Sequence, residues 1–153
     1  MTVEPAEWAA ARDAGRMDRG LIRLGFILIL VGGVVAPTLM VNPRLGVGAH
    51  IIGLFGGLIL IAVGATRPAF ALDRTLWRIM KACWLGATYG NWVGTMLAGF
   101  TGASHLTPIA GAASVGAPLA ETVVFAFFFF VGVTSVAAAL IAIYGLRAGF
   151  HQP

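Results

Sequence analysis

The stretch NPRLGVGAHIIGLFGG, Asn42 to Gly57, places one histidine near the start of an apolar, glycine-rich run. Apolar residues continue to about residue 66, matching the roughly 20 residues that a helix needs to cross a bilayer. Three further windows, at about 24–41, 82–103 and 119–146, meet the same requirement. Such helices suit lipid because they satisfy their backbone hydrogen bonds internally. The links are short, which makes successive helices antiparallel neighbours. The expected fold is therefore all-α, an integral membrane four-helix up-down bundle. Residues 1–23 form an N-terminal segment, 24–147 the four-span domain and 148–153 a tail.

Composition agrees with this reading. Of 153 residues, 59% are hydrophobic and 10% charged, against about 25% charged in an ordinary globular domain, and mean hydropathy is +0.91. A net charge of +4 would suit nucleic acid, but the location of the charges argues for lipid. Arg12, Arg16, Arg19 and Arg23 precede the first span, Arg67, Arg74, Arg78 and Lys81 lie between the second and third, and Arg147 follows the fourth. Only Arg44 falls on the other side. That bias predicts cytoplasmic termini, a cytoplasmic 67–81 loop and a multi-pass protein of a bacterial-type inner (plasma) membrane, with anionic lipid as its partner. Cys83 is the only cysteine, so an internal disulfide and a cysteine metal cluster are excluded.

The opening residues, MTVEPAEWAAARDAGRMDRG, lack the apolar core of a signal peptide, so the N-terminus is expected to be retained. Residues 7–19 read as a short surface helix with Trp8 and the alanines on one side. The outer loop, TGASHLTPIAGAASVGAP, carries no formal charge unless His105 is protonated. It either folds back over the bundle mouth or is simply flexible. Gly86, Gly90, Gly94 and Ala98 repeat at four-residue spacing on the third span, and Gly53 and Gly57 on the second, a device for close helix packing. Phe125 and Phe127 to Phe130 read either as lipid-facing bulk or as an aromatic wall for a flat apolar ligand. There is no inverted repeat or ion cluster of a transporter.

His50 sits about one and a half turns into the second span, roughly 6–8 Å below its outer end. Gly46, Gly48 and Ala49 precede it, and Gly53, Gly56 and Gly57 follow, leaving space beside the ring for a large flat group. A neutral imidazole ligates haem iron well, with His50 as metal ligand and Gly53 and Gly57 as the cleared surface. A hydrogen bond to another helix is the alternative. On the third span, Trp84, Thr88, Asn91 and Thr95 share one helical stripe, and Tyr89 and Trp92 form a neighbouring face. Asn91, Thr95 and Tyr89 are the candidate catalytic residues, each with a packing role as the competing reading. Glu121 opens the fourth span, where it suits the helix N-terminus or pairs with Arg44. His105 is a candidate second axial ligand, and His151 has no assigned role. Triads, paired carboxylates and phosphate loops are absent, so the polar inventory is too thin for hydrolysis or phosphoryl transfer but compatible with an isomerisation.

NPRLGVGAH, then YGNWVGTMLAG, TPIAGAA and a glutamate before the last span together resemble the hydroxylaminobenzene mutase family over about residues 20–147. The pattern is more distantly similar to the styrene oxide isomerases. That resemblance implies ferric haem b on His50, a trimer, and a substrate-orienting Asn91. The chain departs from both families at Gly56, where they carry an asparagine. It also has Ile52 where the mutases tend to have a glutamate, and Thr95 where the styrene oxide isomerases have a tyrosine. The implied activity is rearrangement of a small apolar aryl hydroxylamine to an aminophenol, with Lewis-acid activation of the substrate oxygen. Epoxide isomerisation to an aldehyde is the alternative, and non-catalytic haem binding is the second.

Overall fold

The computed structural model describes residues 16–147. Most of the surface helix expected over 7–19 lies outside them, as does His151. Among the described residues four α-helices follow in order: α1 (Arg19–Gly33), α2 (Pro43–Ala65), α3 (Arg74–Thr101) and α4 (Pro118–Arg147). Among the described residues there is no strand.

Local chemistry sets the ends. Asp18 caps α1 by accepting from the Leu21 N–H, so this helix begins before the apolar run. It stops well short of the expected residue 41, because Pro37 forces Ala36 into an extended conformation (φ −103°, ψ 90°) and opens a separate 3-10 turn, Pro37–Leu39. Asn42 caps α2 by accepting from the Arg44 and Leu45 N–H groups, with Pro43 in the first turn. Asp73 caps α3, which starts about two turns earlier than its apolar window, and Gly102 ends it in the left-handed region at φ 72°.

Each helix packs on the next, α1 on α2, α2 on α3 and α3 on α4. No substantial packing joins α1 or α2 to α4. The helices therefore run up and down in series, and α4 does not close back on α1, although Ile141 and Ala142 of α4 pack against a buried cluster that includes Leu21, Leu28, Leu60 and Met80 of the other three helices. Gly25 lies against Gly57 so closely that a Cβ on Gly57 would fall 2.5 Å from the Gly25 carbonyl oxygen. A Cβ on Gly53 would fall 2.7 Å from the Gly32 Cα. The glycines of α3 instead receive α4 side chains, Gly86 facing Phe130 and Thr134, Gly90 facing Val131, and Gly94 facing Phe127.

At the end holding residue 18, Asp18 ties three helices together. Its backbone N–H donates to the Gly64 carbonyl (2.9 Å). Its carboxylate accepts from Lys81 Nζ at 2.8 and 3.0 Å and from Trp77 Nε1 at 3.2 Å. Burial pushes the Asp18 carboxyl up, but Lys81 and the Leu21 N–H outweigh it and hold the group below the usual aspartate range.

Among the described residues two helices, α2 and α4, are long and apolar enough to cross a membrane. The core helix of a soluble protein would be mostly buried, whereas only 11% of the most apolar window of α4 is. Phe129, Val136 and Leu140 are each more than 60% exposed along it. This is the surface of a membrane protein.

The packing predicts a pair of opposite outcomes. Gly57→Ala, which drives a methyl group into α1 backbone, lowers stability by about 1–3 kcal/mol. Gly33→Ala, with open space around it, is neutral or slightly stabilising. Reversible unfolding in detergent measures both.

Candidate active site

The chain's polar groups inside the helical layer fall into two sets, those bonded within the chain and those left open. Thr88 donates to the Trp84 carbonyl and Thr95 to the Asn91 carbonyl (2.8 Å), the usual bond of a helical threonine to the turn before it. Thr95 is buried with its methyl group toward Gly48 on α2. The Tyr89 hydroxyl donates to the Leu24 carbonyl on α1 at 2.7 Å, tying two helices that otherwise barely touch. Both hydroxyls expected to serve a substrate are thus engaged. Asn91 differs, because its amide makes no hydrogen bond among the described residues.

That amide lines a cleft where α2, α3 and α4 meet. Ile52, Phe55, Gly56 and Ile59 form one wall, Trp84, Ala87, Thr88 and Asn91 the second, and Val131 and Ser135 the third. Its volume is about 160 Å³, close to the roughly 150 Å³ of an apolar cavity that takes up benzene. Ile52 and Gly56, two positions at which the chain departs from the resembled families, both face this cleft, as does Asn91. Thr95 does not line it. Nor does the phenylalanine run. Phe125, Phe129 and Phe130 are exposed, while Phe127 packs toward Gly94.

His50 lies elsewhere. Its Nδ1 is 2.9 Å from the Gly32 carbonyl oxygen on α1. A carbonyl only accepts, so the bond requires a proton on Nδ1, and the neutral ring then carries its lone pair on Nε2. That is the arrangement of a metal-ligating histidine, oriented by a backbone carbonyl. His50 therefore fits a haem iron through Nε2. Gly53 and Gly57 provide no free surface beside it. α1 fills the space over both, because they are the contact points of the two backbones. Among the described residues no three His, Cys, Asp or Glu side chains converge on a metal position.

The outer loop is pinned. Asn42 donates to the Gly111 carbonyl (2.7 Å) and to Ser114 Oγ (2.8 Å). The Glu121 carboxylate accepts the backbone N–H groups of Ser104, His105 and Gly116. Glu121 thus reaches back to the loop, and it forms no ion pair with Arg44. His105 is exposed on this loop.

Residues 17–147 match the family described as "Styrene oxide isomerase". The chain belongs to the styrene oxide isomerase family. It is 31% identical over 136 residues to hydroxylaminobenzene mutase HabB of Ectopseudomonas oleovorans, covering 86% of this chain and 82% of the relative. It is 36% identical over 124 residues to hydroxylaminobenzene mutase HabA of the same organism, covering 79% and 90%. No solved structure matches it. The chain is an isomerase.

Within this isomerase, sequence reasoning reached Asn91 and the Trp84 stripe but passed over Ser135. A single serine among valines and alanines reads as a small packing residue, and only its cost inside an apolar span could have flagged it.

If the Tyr89 phenol acts as a tie, Tyr89→Phe costs about 0.5–1.5 kcal/mol in reversible unfolding. Lost turnover with unchanged stability would assign it to chemistry instead.

Proposed function

We propose that this membrane isomerase rearranges a small single-ring aryl hydroxylamine to an aminophenol, with the α2–α3–α4 cleft as its substrate site. The observation that carries the reading is one open amide, Asn91, in a ring-sized apolar cleft. The two mutases it resembles act, by their names, on hydroxylaminobenzene.

In the reaction the N–O bond breaks, a C–O bond forms at a ring carbon, and a proton leaves that carbon while nitrogen gains one. Nothing is oxidised or reduced overall. The Asn91 amide can donate N–H to the hydroxylamine oxygen and accept the substrate N–H through its carbonyl. Two hydrogen bonds on one polar end fix which face of the ring the departing oxygen can reach. Ile52, Phe55 and Ile59 keep water away from the positive charge that spreads into the ring as the bond weakens. Haem b, held on His50 Nε2, would supply a ferric Lewis acid for the substrate oxygen.

His50 faces α1, and Asn91 faces the cleft toward α4. A site that uses both residues therefore joins His50 of one protomer to Asn91 of the next. Repetition of such a head-to-tail contact closes a ring, and a homotrimer is the form proposed. The four helices then cross a bacterial inner membrane with both termini in the cytoplasm, as the basic residues imply.

Purified protein incubated with phenylhydroxylamine and, separately, with styrene oxide tests this. The expected result is conversion of phenylhydroxylamine to an aminophenol, slowed about 10- to 100-fold in Asn91→Ala. Conversion of styrene oxide alone assigns the epoxide reaction instead. Turnover of neither compound, or an unimpaired Asn91→Ala, refutes the proposal.

A further inference from the structure

One polar side chain in the cleft has no part in the chemistry above. Ser135 and Val131, one turn apart, are the contribution of α4 to the lining. Thr88, Thr95, Thr101, Thr122 and Thr134 each donate to the carbonyl four residues back. Ser135 makes no such bond, and its half-buried hydroxyl has no partner among the described residues. A hydroxyl that forgoes the carbonyl of its own helix, in apolar surroundings, is open to an acceptor from outside the chain.

Its level is fixed by the register of α3 on α4. Gly86 faces Phe130 and Thr134, and Gly90 faces Val131. Ser135 is thus level with Trp84, whose indole lines the same end and whose buried Nε1–H also lacks an acceptor. Asn91 is seven residues along α3 from Trp84, about 10 Å at 1.5 Å per residue. That is roughly the length of one aromatic ring with a hydrogen bond at each end. The facing α2 wall offers only Ile52, Phe55, Gly56 and Ile59. The cleft therefore has a polar group at either end of an apolar waist.

We propose that Ser135 is a specificity-determining residue. It holds a neutral oxygen acceptor, such as a carbonyl or nitro oxygen, para to the nitrogen that Asn91 binds. The class of ligand is a para-disubstituted single ring, held at both ends, in preference to the unsubstituted ring. This rests on the aryl-substrate reading of the cleft, and it adds the end of the substrate that the reaction leaves untouched.

Two stable probes test it, 4-aminoacetophenone and aniline, titrated into the full-length protein in detergent by calorimetry. Wild type is expected to bind the acetyl compound roughly 5- to 10-fold more tightly, the worth of one neutral hydrogen bond. Ser135→Ala is expected to bring the two within about twofold. The same collapse should appear in the kcat/KM ratio of 4-acetylphenylhydroxylamine to phenylhydroxylamine. Equal binding in wild type, a preference retained in Ser135→Ala, or binding of neither probe would overturn the proposal. A Ser135-dependent binding preference without turnover of either hydroxylamine supports the positioning role, and it refutes the proposed reaction separately.

Discussion

The contact of α1 with α2, backbone against backbone at Gly25–Gly57 and Gly32–Gly53, is the constraint on which the rest of this structure depends. Between apolar helices in lipid there is no gain from hiding apolar surface, so association rests on packing and on bonds across the interface. Two pairs of facing glycines bring the backbones together at that point. The approach sets the Gly32 carbonyl beside His50, which fixes the tautomer of the ring and leaves the lone pair on its second nitrogen. It also puts the Leu24 carbonyl within reach of Tyr89, so α3 is tied to α1 across the edge of the layer. With one face of α2 committed to α1, the other face meets α3 and forms a wall of the cleft.

Polar economy then decides which residues are available for chemistry. Hydroxyls that could have met a substrate, those of Thr88, Thr95 and Tyr89, are spent on carbonyls of the chain itself. The far end of the layer spends Asn42 and Glu121 on the backbone of a loop, where Ala112 and Ala113 adopt positive φ (52° and 55°). Holding two alanines in that region is strained, and the hydrogen bonds around them offset the strain. Asn91, Ser135 and the Trp84 indole N–H remain open, and all three line the ring-sized cleft.

Much of this was legible in the sequence. Four apolar windows predicted four helices, because the length and periodicity of a helix are properties of the segment itself. Asn91 stood out because an amide in such a span needs a reason. What a helix face meets is a property of its neighbour, and there the reading failed. Gly53 and Gly57 could equally clear space for a flat group or admit a backbone, and α1 occupies it. His50 and Asn91, read as one site, face different ways, His50 of α2 toward α1 and Asn91 of α3 toward the cleft with α4. Glu121 was placed at its own helix terminus, yet a flexible side chain at that position also reaches a loop more than a dozen residues back. The end of α1 was overextended because hydropathy ignores the break that Pro37 imposes.

The central claim is that the glycine contact presents His50 as a ligand with Nε2 free for haem iron. An absorption spectrum of the full-length protein, purified in mild detergent beside its His50→Ala variant, tests it most directly. A Soret band in wild type that disappears in His50→Ala is the predicted result. A colourless preparation that nevertheless turns over its substrate, or a Soret band unchanged in His50→Ala, would contradict it.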